Sequence, residues 1–201
     1  GLKVVAMSAS RVLSILHDED LAEVESDHDK WAELLRLELG NREAALIPAL
    51  HRRAAAWYEA TGDIDQAIRH AFAAGDTDYA ANLVGVGFLR YWWSPRRATA
   101  RAWFRRFDPA TLQERPWLAV LAAWEQLGSG DVAVMEHLAD IAERGTFEGR
   151  PPDGTASFES GRAMLRASMC RRGADDMLAN AERAVALEPV GGPFRDFALW
   201  V

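Results

Sequence analysis

Residues Leu50–Asp76 read LHRRAAAWYEATGDIDQAIRHAFAAGD, and this stretch decides the fold of the chain. Its small and apolar residues recur at steps of three or four, the spacing of one face of an α-helix. Gly62 suits the left-handed residue that ends a first helix, and Asp63 can cap a second. The stretch therefore predicts a helical hairpin that packs closely through alanine, with Trp57 and Tyr58 filling the space beside the crossing. The face consists of Ala54, Tyr58, Ala67, Ile68 and Ala71.

The spacing resembles that of a tetratricopeptide repeat, a unit of about 34 residues with a glycine between its helices and small residues in the second. Tyr58 and Gly62 stand where that pattern has an aromatic and a turn residue. His51 and Ala55 replace its usual first-helix Trp and Gly. The resemblance implies an all-α, tetratricopeptide-like helical-hairpin array, or α-solenoid, because one hairpin cannot bury its apolar face alone.

A second resemblance covers Leu34 to about Val84. Leu-His, Ala-x-Trp-Tyr, Gly-Asp and Ala-Ile-x-His-Ala follow one another here, at residues 50–71. This order resembles the first sensor-arm hairpin of MalT-like, LuxR-type bacterial transcriptional regulators. The resemblance implies a parent protein with an upstream ATP-binding switch module and a downstream helix-turn-helix, so ATP is expected only outside this segment. MalT-like arms also occur attached to bacterial Ser/Thr kinases.

Two further hairpins follow in the sequence. Pro116–Arg144 repeats the turn pattern of Gly62-Asp63 at Gly128-Ser129-Gly130-Asp131, and residues 156–187 place a turn at Gly173. Between the hairpins we expect a helix at 78–84 weakened by later glycines, a helix at 96–107, a short turn at 111–114 and a loop at 145–154. A last helix from Pro193 stops with the sequence, which predicts a repeat domain over 41–201 truncated at its C-terminus.

Residues 1–40 form a separate predicted segment. His28, followed by a helix rich in Leu, Arg and Glu, resembles the junction between the small winged-helix module and the repeats of MalT-like regulators. Glu25-Ser26-Asp27 replaces the aromatic and basic residues usual before that histidine. We therefore expect an N-terminal helical segment with, at most, a winged-helix remnant.

Composition narrows the classes of function. The net charge of -7 argues against direct contact with nucleic acid. No apolar run approaches the roughly 18 residues of a membrane span. The single cysteine, Cys170, excludes an internal disulfide and fits a reducing cytoplasm. We expect Cys170 to be buried as a small apolar residue rather than to be exposed with a pKa lowered by Arg171 and Arg172.

The sequence contains no motif for chemistry. It has no phosphate-binding loop, no His-Glu-x-x-His and no paired cysteines, so we expect no enzyme activity, no metal and no cofactor in this segment. His51 and His70 lie near the ends of the first hairpin and could face each other across it. We assign them a structural role.

Two surfaces are candidates for binding. A dense group of tryptophans is either core or a stacking surface for a sugar or an aromatic ligand. A stripe of arginines four apart is either a solvated face or grips an acidic partner or another domain of the same protein. The 145–154 loop is expected to be a passive connector. The candidate residues are Trp92, Trp93, Arg97, Arg101, Arg105 and Trp103.

The sequence therefore predicts a cytoplasmic, non-catalytic regulatory arm of a multidomain bacterial transcriptional regulator. Its expected partners are an unknown inducer or regulatory protein and other domains of the parent protein, without a membrane. The regulatory arm of a bacterial Ser/Thr kinase and a free-standing scaffold that holds two proteins together are the alternatives.

Overall fold

The computed structural model describes residues 44–200, and every regular element among them is a helix. This confirms the predicted all-α array of helical hairpins. A 3₁₀ turn at Ala44–Leu46 precedes ten α-helices. They are α1 (Ile47–Thr61), α2 (Ile64–Ala73), α3 (Thr77–Trp92), α4 (Arg97–Phe104), α5 (Pro109–Glu114), α6 (Pro116–Ser129), α7 (Val132–Arg144), α8 (Phe158–Met169), α9 (Ala174–Leu187) and α10 (Arg195–Trp200).

The chain divides into two compact units between Asp76 and Thr77, and each is described by itself. The predictions for residues 1–40, including the winged-helix remnant, lie outside the described residues. Among the described residues, no helix combines the length and apolarity needed to cross a membrane.

The first unit contains the predicted hairpin of α1 and α2. Gly62 adopts φ 82°, and its N–H donates to the carbonyl of Glu59 at 3.0 Å. Asp63 then caps α2 by accepting from the N–H of Gln66 at 3.3 Å. Two side chains were expected to fill the space beside the helix crossing. Tyr58 is half-buried, but Trp57 is 56% exposed, so the expectation is wrong for Trp57.

The second unit contains the hairpins α6–α7 and α8–α9. Gly130 repeats the first corner with φ 84°, and Asp131 caps α7 through the N–H of Val134 at 3.2 Å. The third hairpin differs, because Cys170 takes the left-handed position at φ 48° and is exposed. The expectation of a buried Cys170 is therefore wrong: the residue ends α8 instead of facing the core.

Three predicted helix boundaries also differ. The helix α3 runs without interruption through Gly85, and the close packing of Pro152 leaves little room for a side chain at that position. The expected turn at 111–114 is the helix α5, capped by the Asp108 carboxylate at 2.7 Å from the N–H of Thr111. The helix expected over 96–107 is shorter, at Arg97–Phe104.

Glu188 ties the last hairpin together. This residue follows α9 and is 2% exposed. Its Oε1 accepts from the N–H of Ala156 at 3.0 Å and from Ser160 Oγ at 2.5 Å. A carboxylate at a helix start also opposes the positive end of the helix dipole, so Glu188 fixes where α8 begins.

Candidate functional site

A narrow cleft lies inside the second unit between α3, α6, α8 and α10. The volume of the cleft itself is about 20 Å³. The empty space in and around it, including the part open to solvent, is about 370 Å³. We call it the ring-lined cleft, because six aromatic side chains line it. They are Phe88, Trp92, Trp93, Trp124, Phe194 and Phe197.

Edge-to-face contacts hold these rings in place. Phe197 lies 5.1 Å from Trp124 and 6.2 Å from Trp93, measured between ring centroids. Trp92 lies 6.3 Å from Trp124. Such pairs orient the positive edge of one ring toward the negative face of the next, which fixes the ring planes.

A wider apolar groove, which we call the outer groove, adjoins the cleft. This groove has a volume of about 490 Å³ and shares Trp93 and Phe197 with the cleft. Two exposed tryptophans stand at it, since Trp93 is 64% exposed and Trp200 is 75% exposed. Asp196 also lines the groove. The cleft and the outer groove have four lining residues in common, which are Leu89, Trp93, Phe194 and Phe197.

The expected passive connector contributes the charged group of the cleft. Residues Gly145–Gly154 form a loop as predicted, but the loop packs against α3: a Cβ at Gly85 would lie 3.0 Å from Pro152 Cβ and 3.3 Å from the Asp153 nitrogen. This close approach brings the side chain of Asp153 to the cleft wall. The Pro-Asp-Gly sequence indicates a turn, but nothing local in it indicates the contact with Gly85.

Asp153 is held in a defined orientation. Its Oδ1 accepts from the N–H of Thr155 at 2.9 Å and from Thr155 Oγ1 at 2.7 Å. Burial raises the pKa of Asp153, and the nearby Glu188 carboxylate raises it further. The bonds from Thr155 and the charge of Arg150 act in the opposite direction. A cation placed beside this carboxyl would stabilise its charged form.

The predicted arginine stripe is divided among three environments. The Arg97 guanidinium stacks over Trp92 at 3.8 Å from the ring centroid, and its Nε and Nη2 are buried without a hydrogen-bond partner. Arg101 donates to the fully buried Glu125 at 2.8 Å. Arg105 is exposed. Because two of its three members are engaged inside the unit, the stripe is neither a continuous solvated face nor a continuous basic strip for a partner.

The six candidate residues do not form one surface. Trp92 and Trp93 line the ring-lined cleft, and Arg97 stacks on the Trp92 ring without lining the cleft itself. Trp103 is 5% exposed and packs edge-to-face with Tyr91 at 4.5 Å, so it belongs to the core. Sequence reasoning missed Asp153, Phe194 and Phe197 as cleft residues because they come from distant elements.

The first unit brings its two histidines together as the sequence suggested. His51 Nδ1 and His70 Nδ1 lie 2.8 Å apart, and His70 stacks on Tyr58 at 5.3 Å between centroids. Within residues 44–200, no three His, Cys, Asp or Glu side chains are grouped closely enough to hold a metal ion.

Comparison with known proteins finds similarity to a bacterial kinase. Over 100 residues the chain is 28% identical to the serine/threonine-protein kinase PknK of Mycobacterium tuberculosis, and equally to that of Mycobacterium bovis. Half of this chain resembles part of a bacterial kinase. The aligned residues are 50% of this chain and 9% of the kinase. No family model and no solved structure matches the chain.

Proposed function

We propose that this chain is a ligand- or partner-binding regulatory arm of a larger bacterial signalling protein and does not itself catalyse a reaction. The observation that carries the proposal is the ring-lined cleft with its outer groove. Binding sites for small molecules are concave and mostly apolar, with a few converging polar groups. Here aromatic rings make the walls, and Asp153 is a charged residue among those that line the cleft.

A ligand in the cleft would contact several helices at once. The lining residues come from α3, α6, α8, α10 and the 145–154 loop, and the hairpins α6–α7 and α8–α9 contact each other through α6 and α8. Helical hairpins that stack side by side can differ in curvature. A ligand that binds one arrangement more tightly shifts the population toward it, and this is the switching step of the proposal.

Two kinds of output are compatible with this role. Similarity to PknK supports an arm that regulates a Ser/Thr kinase. The order of residues in Leu34 to Val84 supports the arm of a MalT-like, LuxR-type regulator, in which ATP would bind an upstream module and DNA a downstream one. A scaffold without a switching role is the third possibility.

The sequence encoded on either side of this chain distinguishes the kinase arm, the transcriptional regulator and the scaffold. A kinase domain in the same polypeptide supports the kinase arm. A phosphate-binding loop upstream together with a helix-turn-helix downstream supports the transcriptional regulator. Stop codons directly on both sides contradict a regulatory arm and favour the scaffold.

Ligand binding is tested by tryptophan fluorescence of the whole chain, titrated with sugars, nucleotides, amines and short peptides. The variant Trp93→Ala should lose the response, because Trp93 lines both the cleft and the outer groove. Trp57→Ala is the matched control, since Trp57 is a similarly exposed tryptophan on α1 of the other unit. A response that Trp93→Ala keeps would place binding elsewhere, and no response to any compound would contradict the ligand-binding role.

A further inference from the structure

The outer groove lies between α3 and α10, and aromatic rings make most of its exposed wall. Trp93 on α3 and Trp200 on α10 are both exposed. Phe197 contacts both of them, with its ring centroid 6.2 Å from that of Trp93 and 6.0 Å from that of Trp200. The apolar surface continues along α3, because Val86, about two helical turns before Trp93, is also exposed. Apolar surface that is exposed on two neighbouring helices is typical of an interaction site.

The groove also carries polar groups that the protein itself does not use. Within residues 44–200, the indole N–H groups of Trp93 and Trp200 have no hydrogen-bond acceptor. Asp196 lines the groove one helical turn before Trp200, is exposed, and has no ion-pair partner in the same part of the chain. The groove therefore offers a partner three kinds of contact: ring faces, N–H donors and one negative charge.

These groups suit a polyproline II segment better than an α-helix. Polyproline II has no internal hydrogen bonds, so its carbonyls are free to accept from indole N–H groups. A helix uses its carbonyls within its own backbone, except for those at its C-terminus. Proline-rich segments dock in aromatic-lined grooves in this way. The spacings of 6.2 and 6.0 Å between the rings are close to the rise of two polyproline II residues, about 6.2 Å.

The charge at the groove is negative. Asp196 is the charged residue among those that line the groove, and the others are uncharged. A basic side chain beside the prolines would pair with this carboxylate. The whole chain is acidic, with a net charge of -7, and therefore attracts a basic segment during its approach. An exposed ion pair adds only a few-fold to affinity. The rings therefore hold the segment, and Asp196 sets its charge preference.

We propose that the outer groove binds a proline-rich peptide segment that carries a basic residue. The prolines lie on the rings of Trp93, Phe197 and Trp200, and the basic side chain lies beside Asp196. The inference rests on the proposed binding function and names its partner class. An amphipathic helix and a second copy of this chain are the rival occupants, and each is an outcome of the experiment.

The experiment titrates the whole chain with capped peptides and follows the indole N–H signals in two-dimensional NMR. The peptide PPPRPPP has both features, GGGRGGG keeps the charge without proline, and PPPEPPP reverses the charge. We expect PPPRPPP to bind at least about tenfold more tightly than GGGRGGG, because proline supplies the ring contacts and is already extended in solution. At low salt it should bind about two- to fivefold more tightly than PPPEPPP. The signals of Trp93 and Trp200 should move, and that of the buried Trp103 should not.

Two variants separate the ring contacts from the charge. Trp200→Ala should weaken the binding of PPPRPPP at least about tenfold, because it removes a ring and an N–H donor. Leu199→Ala is the matched control, since Leu199 is a similarly exposed residue of α10 that does not line the groove. Asp196→Asn should remove the preference for PPPRPPP over PPPEPPP and keep the preference for proline over glycine. All three side chains are exposed, so none of these substitutions opens the core.

Several results would overturn the proposal. They are equal affinities for PPPRPPP and GGGRGGG, binding of PPPRPPP that Trp200→Ala does not weaken, a charge preference that persists in Asp196→Asn, and no binding of any peptide. Tighter binding of the helix-forming peptide LRRLLRRLLRRL would assign the groove to an amphipathic helix. Dimerisation in sedimentation that Trp200→Ala abolishes, without binding of PPPRPPP, would assign it to a second copy. The small-molecule titration and the flanking sequence test the regulatory arm separately, so a failure here is distinguishable from a failure of the proposed function.

Discussion

The Nδ1 atoms of His51 and His70 lie 2.8 Å apart across the α1–α2 hairpin. At that distance one ring donates a proton and the other accepts it, so at least one of the two rings must be neutral. The stacking of His70 on Tyr58 holds the second ring in position. The contact is therefore sensitive to protonation.

The α1–α2 hairpin should lose stability in mild acid. Burial, the charge of His51 and the charge of Arg69 lower the pKa of His70 below 6.5. Below about pH 6.5 the unfolded chain binds more protons than the folded chain. The free energy of unfolding is therefore highest above about pH 6.5 and falls as the pH drops toward the lowered pKa of His70. An NMR titration of the His70 ring should show this pKa directly. His51→Asn should move it upward, and a pKa that does not move in this variant would contradict the electrostatic coupling.

The corners of the hairpins were predictable, because their signals are local. Gly62 and Gly130 take the left-handed conformation that only glycine adopts without strain, and each is followed by an aspartate that caps the next helix. The glycine that ends one helix and the aspartate that caps the next are adjacent in the sequence, so a short stretch is enough to predict each corner. The same reasoning placed His51 opposite His70, because both positions follow from the length of two helices and one corner.

The cleft was not predictable, because its chemistry depends on contacts between distant elements. Asp153 reaches the cleft only because Gly85 lets the loop approach α3. Glu125 likewise looks like a surface residue in sequence and is fully buried through its pair with Arg101. Helical periodicity identifies apolar faces, but it does not show which polar residue another helix covers.

The Arg101–Glu125 pair should respond asymmetrically to mutation. Arg101→Met leaves the buried carboxylate of Glu125 without its cation, and breaking a buried pair in this way costs about 3 kcal/mol or more. Glu125→Gln keeps a hydrogen-bond acceptor, and Arg101 can turn to solvent because its side chain is 37% exposed. We expect a loss of about 1 kcal/mol for this variant. Urea denaturation measures both, and equal losses would contradict the explanation.

Gly128 makes room for the stack of Arg97 on Trp92. A Cβ at Gly128 would overlap the Arg97 guanidinium, so Gly128→Ala must displace that flexible side chain. The lost cation–π contact costs about 0.5 to 2 kcal/mol, while alanine in a helix gains about 1 kcal/mol over glycine. We expect little net change in stability but a clear shift of the Trp92 indole signal. Arg97→Ala should produce the same shift, and a double variant that shifts the signal further would show that the two changes act separately.

The corner of the third hairpin holds a non-glycine residue in the left-handed conformation. Cys170 adopts φ 48°, where the other two hairpins have glycine, and a left-handed conformation costs an ordinary residue about 1 to 2 kcal/mol. Glycine loses more entropy on folding, which offsets part of this cost. Cys170→Gly should therefore raise the free energy of unfolding by up to about 1 kcal/mol, measured in urea under reducing conditions. The reverse change, Gly130→Ala at φ 84°, should lower it by about 1 kcal/mol. A Cys170→Gly variant that is less stable than the natural chain would mean that the thiol makes a stabilising contact, even though the residue is exposed.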